Sequence, residues 1–404
     1  MTPALPPDDV QVRRAAVGVF VMFTAAGFVF ATWASRLVAI RLTLGLDAQS
    51  MGLLLLCWSF GSITAMPLSS LLIQRFGLRR VLLAAASLAA MGLIGAGGAT
   101  PAQAVAGVGV GLAALGIGFG VWDVTQNVAA SDVERALRRA VMSRLHAGYS
   151  VGTIIAGATG AAMARLGVPV IAHFSAVAVL ALAAVAWGAH TLLPAPQHDA
   201  DRSARARGER SAWLESRTLL IGLVVLGLTL AEGAASDWMA SGIEQSFGTS
   251  EATAIVGFTV FLTAQTAIRM FATPLVDRFG RPWAIRASGV AAAAGVGLYS
   301  LTPALPLVFV GAALWGAGAA LVFPLGMSAA GDDPTRAAQR TAVVSTIGYG
   351  AFLSGPPLLG LLAQHVGFRL AMLALAAPTV LAVVLAGSTR PPGDKGGPDQ
   401  GACH

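Results

Sequence analysis

The chain has 404 residues, of which 56% are hydrophobic and 11% charged, and its mean hydropathy is +0.73. A soluble domain carries about 25% charged residues, so composition speaks against a soluble enzyme, a disordered chain or a nucleic-acid binder and makes lipid the expected solvent. The net charge of +7 is therefore read by position rather than as a sum. Cys57 lies in an apolar run and Cys403 in the tail, which leaves no disulfide framework or metal-binding Cys pair.

A membrane-spanning helix needs about 20 mostly apolar residues. Twelve such stretches are predicted, at 15–35, 49–73, 81–99, 102–128, 141–164, 168–192, 218–243, 251–273, 284–302, 305–330, 341–364 and 367–389. The first is preceded by Arg13-Arg14 and ends near Ala31–Ala34, the outline of a signal peptide. Its removal would leave an odd set of helices, so it is read as a span. The longest hydrophilic stretch, 194–217, is too short for a second domain. Within it, Gly208–Arg217 is expected to form an amphipathic helix with Trp213 and Leu214 facing lipid.

With both termini inside, 21 of the 26 basic residues fall in or beside cytoplasmic segments. Arg36, Arg41, Arg165 and Arg369 fall on the far side, and Arg269 lies within a span. This bias is the positive-inside signal. The excess of Arg over Lys, with abundant Ala and Gly, suggests a GC-rich bacterial genome and hence a bacterial cytoplasmic (inner) membrane.

The sequence repeats itself. Gln74-Arg75-Phe76-Gly77 recurs as Asp277-Arg278-Phe279-Gly280, at an offset of 203 (277 − 74). Gly116-Ile117-Gly118 recurs as Gly316-Ala317-Gly318, and Gly148-Tyr149, Gly160 and Gly167 as Gly348-Tyr349, Gly360 and Gly367, all at an offset of 200 (316 − 116). The expected organisation is all-α: a six-helix bundle over 1–193, a cytoplasmic linker over 194–217, and a second six-helix bundle over 218–404 with a short disordered tail. Two six-helix halves with an internal repeat are a known transporter arrangement.

The Arg-Phe-Gly turn after the second helix of each half resembles the Gly-x-x-x-Asp-Arg-x-Gly-Arg-Arg loop of the major facilitator superfamily. The second copy, Asp277, Arg278, Gly280 and Arg281, follows the pattern; the first, Gln74, Arg75, Gly77 and Arg79, has Gln where the family has Asp. The resemblance implies a loop that holds helix ends together on the cytoplasmic side in one conformation, with a weaker latch in the first copy.

Ionisable side chains inside spans cost about 2.5–3.5 kcal/mol on insertion scales and are functional candidates by default. They are Asp123, His146, His173, Glu232, Asp237 and Arg269, with Gln126, Asn127 and Gln265 as neutral companions. Asp123 and Asn127 share a helical face after the run Gly116, Gly118, Gly120. A carboxylate and an amide directed into one cavity suit a hydroxyl-bearing solute, and a desolvated carboxylate suits a proton carrier. The packing alternative pairs Asp123 with Arg144. Residues 118–127 resemble the Gly-x-Gly-x-x-Glu-x-x-x-Asn run of the proton-coupled fucose permeases, and 145–152 resembles their next helix, which implies a solute contact for His146. Those permeases have an acid near the end of helix one, where this chain reads Trp33-Ala34-Ser35-Arg36; fucose itself is not expected. Arg36 there is read as attracting an anionic solute or gating the outside.

Glu232, Asp237 and Arg269 are read either as a structural ion-pair set or as a coupling set that responds to protons. Phe323 and Met327 stand where the first half has Asp123 and Asn127, giving one polar and one apolar wall. Trp33, Trp122 and Trp238 are candidate stacking surfaces, with Trp315 as a further one. The Gly-Pro motif of the drug/proton antiporters is absent from helix five, and Gly355-Pro356-Pro357 in helix eleven reads as a kink.

No Walker loop, haem site or metal cluster is present, so no enzymatic activity, cofactor or metal is expected. The reading is a monomeric, proton-coupled carrier of a small polar, sugar-like solute, working by alternating access. The alternatives are an exporter of amphipathic compounds on the same fold and a non-transporting membrane sensor or assembly partner.

Overall fold

A computed structural model describes residues 9–137, 141–193, 211–333 and 336–391. Most of the linker, the tail and Arg138–Arg139 lie outside the described residues. Among those described, all regular structure is helical. The first half comprises α1 (Asp9–Ser35), α2 (Leu37–Leu44), α3 (Ala48–Ala65), α4 (Ser69–Phe76), α5 (Leu78–Ala99), α6 (Val105–Leu137), α7 (Met142–Arg165) and α8 (Val170–His190). The second comprises α9 (Ser216–Phe247), α10 (Glu251–Phe271), α11 (Thr273–Phe279), α12 (Arg281–Leu301), α13 (Leu305–Ala319), α14 (Val322–Ala330), α15 (Ala337–Val366), α16 (Phe368–Ala371) and α17 (Ala376–Leu385).

Eleven segments among the described residues are long and apolar enough to cross a bilayer, one fewer than the twelve expected. The difference is α7. At 24 residues it is long enough, but Arg144, His146, Tyr149, Ser150, Thr153, Thr159 and its four glycines dilute its apolar character. It packs between α1 and α10, and Ser150, Thr153 and its four glycines are buried there against protein, whereas Arg144 and His146 are exposed.

The repeat is visible in the packing. Gly116 on α6 lies against α3 so closely that a methyl group there would sit 2.2 Å from the Trp58 carbonyl oxygen. Gly316 on α13 meets the Phe261 carbonyl oxygen of α10 at the same 2.2 Å. The turns before α5 and α12 also match: Gly77 (φ 82°, ψ 150°) and Gly280 (φ 80°, ψ 163°) adopt a backbone essentially confined to glycine.

Several expected elements are broken, shortened or extended. The expected first span, 15–35, is intact within α1, and past Arg36 the chain continues as α2. The tenth divides at Ala320–Leu321 into α13 and α14, which frees a carbonyl in mid-span. The expected helix over Gly208–Arg217 is, within the described residues, a single 3-10 turn at Ala212–Leu214, with Trp213 and Leu214 exposed. Pro356 and Pro357, by contrast, lie inside an unbroken α15.

The two halves join along α3–α15 and α7–α10. Arg217 at the start of α9 donates to the Arg390 carbonyl (2.8 Å), and Thr191 lies against Gly18 of α1; we call this the terminal end. At the opposite, distal end the halves interlock. A methyl group on Gly52 of α3 would lie 2.6 Å from the Pro356 carbonyl oxygen, and one on Gly360 of α15 2.5 Å from that of Ala48.

Candidate functional site

Asp123 lies near the middle of α6, half-buried. The Gln126 and Asn127 amides each donate to its Oδ1 at 3.3 Å, and Asn127 also donates to the Asp123 backbone carbonyl at 2.8 Å. These spacings of three and four residues stack all three side chains on one helical face. The carboxylate is therefore held by neutral amides and not by Arg144. His146, exposed on the second turn of α7, is within electrostatic range of Asp123 and tilts against Phe23 at 4.5 Å between ring centres. Its Nδ1 meets the Met142 carbonyl at 3.1 Å.

Across the interface, Arg269 of α10 forms an ion pair with Glu232 of α9 at 3.0 Å. Its Nε donates to the Ala320 carbonyl, also at 3.0 Å. That carbonyl is the one released where α13 gives way to α14, so the helix break supplies the acceptor that fixes the guanidinium. Tyr149 on α7 is within electrostatic range of Asp123, Glu232, Arg269 and Tyr349, and Tyr349 of α15 is within range of Asp123. The repeat-related tyrosines are thus each within electrostatic range of a charged group of the opposite half. Around them run two aromatic chains, Tyr149–Phe30–Trp58–Phe119–Trp122 and Phe323–Tyr349–Phe352, with ring centres 5.2–6.4 Å apart.

Asp237, five residues beyond Glu232, does not join the Arg269 pair. It lines a cavity of about 30 Å³ with Phe30, Trp33, Trp58, Phe352, Ser59 and Ser236. Trp33 reaches this cavity; Trp122 and Trp238 do not. Trp122 is buried beside Phe119, and Trp238 is fully buried against Phe368 with ring centres 5.3 Å apart. The five-residue spacing from Glu232 to Asp237 does not reveal which face of the helix meets the other half. Trp58 is not distinguished by the sequence, because one tryptophan in an apolar run gives no sign of which face it occupies.

The distal closure is likewise a set that spacing does not reveal. Arg36 meets Glu251 of α10 at 3.0 Å and donates to the Val168 carbonyl at 3.0 Å. Arg41 meets Glu244 of α9 at 2.9 Å and lies over the Phe368 ring. Both pairs cross between the halves. Arg36 is thus a contact between the two halves.

At the terminal end the described ion pairs remain within one half. Arg217 and Arg281 share Asp332 at 2.7 Å each, and Arg336 and Arg340 share Glu215. Burial pushes the Glu215 carboxyl up, but hydrogen bonds from Arg340 and Thr218 and the charges of Arg340 and Arg336 outweigh it, leaving the group below the usual range. In the repeated loops, Gln74 and Asp277 are exposed, Arg75 and Arg278 lie over Phe76 and Phe279, and Arg79 meets His190 at 2.7 Å. These contacts do not latch one half to the other.

The family model of the Major Facilitator Superfamily matches residues 15–240 and 221–402. The chain is 34% identical to an uncharacterized transporter, y4wD, of Sinorhizobium fredii over 91% of this chain and 96% of that one. It is 31% identical to an uncharacterized MFS-type transporter of Yersinia pestis, covering 85% and 87% of the two chains. In fold it is similar to the nucleoside transporter NupG (TM-score 0.71, 13% identity, covering 94% and 98%). It is also similar to the D-xylose-proton symporter (TM-score 0.71, 15% identity, covering 94% and 97%). The fucose transporter FucP in its outward conformation aligns with a TM-score of 0.60 at 18% identity, covering 93% and 99%. Two helical halves with an internal repeat, polar groups in mid-membrane and a family match along both halves lead to one conclusion: this protein is a multi-pass membrane transporter, not an enzyme, and belongs to the major facilitator superfamily.

Proposed function

We propose that the protein moves a small polar, sugar-like solute by proton-coupled alternating access, as a monomer in the bacterial cytoplasmic membrane. The observation that carries this reading is Asp123: a mid-membrane carboxylate held by Gln126 and Asn127, whereas Glu232 is neutralised by Arg269. An acid held by neutral amides can take up and release a proton without first breaking an ion pair. Asp123 is the principal coupling acid, Asn127 and His146 contact solute, and Glu232, Asp237 and Arg269 complete the proton-responsive set. Trp33 offers a stacking surface at the cavity; Trp122 and Trp238, buried away from it, serve packing in this conformation.

In this reading α7, fifth in chain order, completes the set of twelve spans and both termini are cytoplasmic, which the distribution of arginines supports. On this reading the distally closed protein is inward-facing. Opening requires Arg36–Glu251 and Arg41–Glu244 to part and the loops around Gln74 and Asp277 to approach, with Arg75, Gly77, Arg79, Arg278, Gly280 and Arg281 forming the cytoplasmic contact of the other state. Asp123→Asn in proteoliposomes tests the assignment: a pH gradient should no longer drive uptake, while solute exchange persists. Gradient-driven uptake at the native rate would overturn it.

The aromatic lining favours a second reading, export of amphipathic compounds, since four rings surround the cavity. Accumulation of such compounds by everted vesicles, with no uptake of sugar-like solutes, would establish it instead.

A further inference from the structure

We propose that the cavity at Asp237 is a recognition site for an ammonium group, so that the transported solute carries an amine. The inference rests on the central cavity being part of the solute path and names the class of solute that path accepts.

Three acids bracket this part of α9 and α10, and each has an arginine within 3.0 Å: Glu232 has Arg269, Glu244 has Arg41 and Glu251 has Arg36. Asp237 has no ionic or hydrogen-bond partner among the described residues. A carboxylate without a partner inside a protein core is costly unless a positive charge reaches it. The lining shows which kind of charge. Phe30, Trp33, Trp58 and Phe352 surround the cavity, and Ser59 and Ser236 are the other polar side chains in it.

Aromatic faces attract cations whose charge is spread over N–H or C–H groups, and Trp is the strongest of them. An ammonium group donates to the carboxylate and the hydroxyls while its remaining surface rests on the rings. A sodium ion is less suited, because hard metal cations gather more oxygen ligands than one carboxylate and two hydroxyls. The cavity volume of about 30 Å³ is enough for one or two water molecules, or for an ammonium head group in their place. The walls come from both halves: Phe30, Trp33, Trp58 and Ser59 from the first, and Ser236, Asp237 and Phe352 from the second. A cation held here stabilises the conformation in which these walls meet. Asp237 holds one positive charge at a time, so a proton and the ammonium group compete for it.

The test uses the full chain in lipid nanodiscs near neutral pH, reading tryptophan fluorescence, since Trp33 and Trp58 line the cavity. Ethanolamine hydrochloride, ethylene glycol (a neutral molecule of the same size and hydroxyl) and sodium chloride at matched ionic strength are titrated in parallel. A saturable change is expected with ethanolamine alone. Asp237→Asn, which keeps the side-chain volume, should weaken it by about tenfold or more, the factor expected for a lost charge-assisted hydrogen bond. Trp58→Phe should weaken it by a smaller factor, because the ring remains while its attraction for cations falls. Thermal midpoints establish that each variant is folded. Equal responses to ethanolamine and ethylene glycol, an equal response to sodium chloride, or native ethanolamine affinity in folded Asp237→Asn would each overturn the proposal. No gradient is applied, so a failure of proton coupling at Asp123 leaves this readout intact, and absence of ethanolamine binding leaves the uptake experiment intact.

Discussion

Arg36, at the break between α1 and α2, and Glu251, at the first residue of α10, meet at 3.0 Å and join the two halves at the distal end. The Arg36 side chain is 5% exposed and that of Glu251 21%. Removing one partner of such a pair leaves an uncompensated charge in a poorly hydrated place. Glu251→Gln is therefore expected to weaken the closed state by on the order of 2 kcal/mol, a shift of roughly 30-fold in population. Electron–electron distance measurements between spin labels at 46 and 249 should show a new, longer population. The charge-swapped pair Arg36→Glu with Glu251→Arg should largely restore the short one. An unchanged distance distribution in Glu251→Gln would show that the helix crossings alone hold the closure.

The Glu232–Arg269 pair should behave differently when broken from one side than when removed whole. Arg269→Gln leaves Glu232 charged and unpaired beside the freed Ala320 carbonyl, and a loss of about 1–3 kcal/mol is expected. The double variant Glu232→Gln with Arg269→Gln removes both charges and should recover much of it. Thermal unfolding in detergent measures both. A double variant less stable than Arg269→Gln would mean that the pair is a net stabiliser of the half.

Glycine-to-alanine changes separate helix propensity from helix contact. Gly297 of α12 has nothing within 4 Å of where its Cβ would stand, so Gly297→Ala should be neutral or stabilising by up to about 1 kcal/mol. Gly116→Ala and Gly316→Ala place a methyl group 2.2 Å from a neighbouring carbonyl oxygen and should cost about 1–3 kcal/mol each. Similar midpoints for all three would disprove the close contacts on which the repeat packing rests.

Glu215 gives a pH dependence outside the spans. Its carboxyl is lowered because Arg340, Thr218 and Arg336 together outweigh the upward push of burial. A lowered folded-state value means that its stabilisation is fully present above the unfolded value of a glutamate and is lost as pH falls through the folded value. Glu215→Gln should therefore lower the thermal midpoint at neutral pH. The variant and native curves should converge on acidification below about pH 4. A constant difference between them over that range would show that the Glu215 contacts do not depend on its charge.

The sequence by itself determined the solvent, the two halves and the short set of charges inside the spans. Those are consequences of one-dimensional spacing: hydrophobic run length, a repeat at an offset of 200–203, and the rarity of intramembrane ions. It also put Asp123 and Asn127 on one helical face, because contacts four residues apart follow from the helix itself; the Gln126 contact came from the structure. It did not say that Ser150, Thr153 and the four glycines of α7 are buried against protein. The tertiary structure decided that and the rest. Arg269 selected Glu232 rather than Asp237 because the break after α13 exposed a carbonyl that holds the guanidinium there. Arg36 and Arg41, orientation markers in the sequence, became closure contacts once α9 and α10 brought Glu244 and Glu251 to them. Asp237 remained without a partner among the described residues and was enclosed by aromatic rings from both halves. Each of these outcomes depends on how helices rotate and press together, within the second half for Arg269 and between the halves for Arg36, Arg41 and Asp237. Local spacing carries no record of that, because the free energies being compared arise between residues from 37 to more than 200 positions apart.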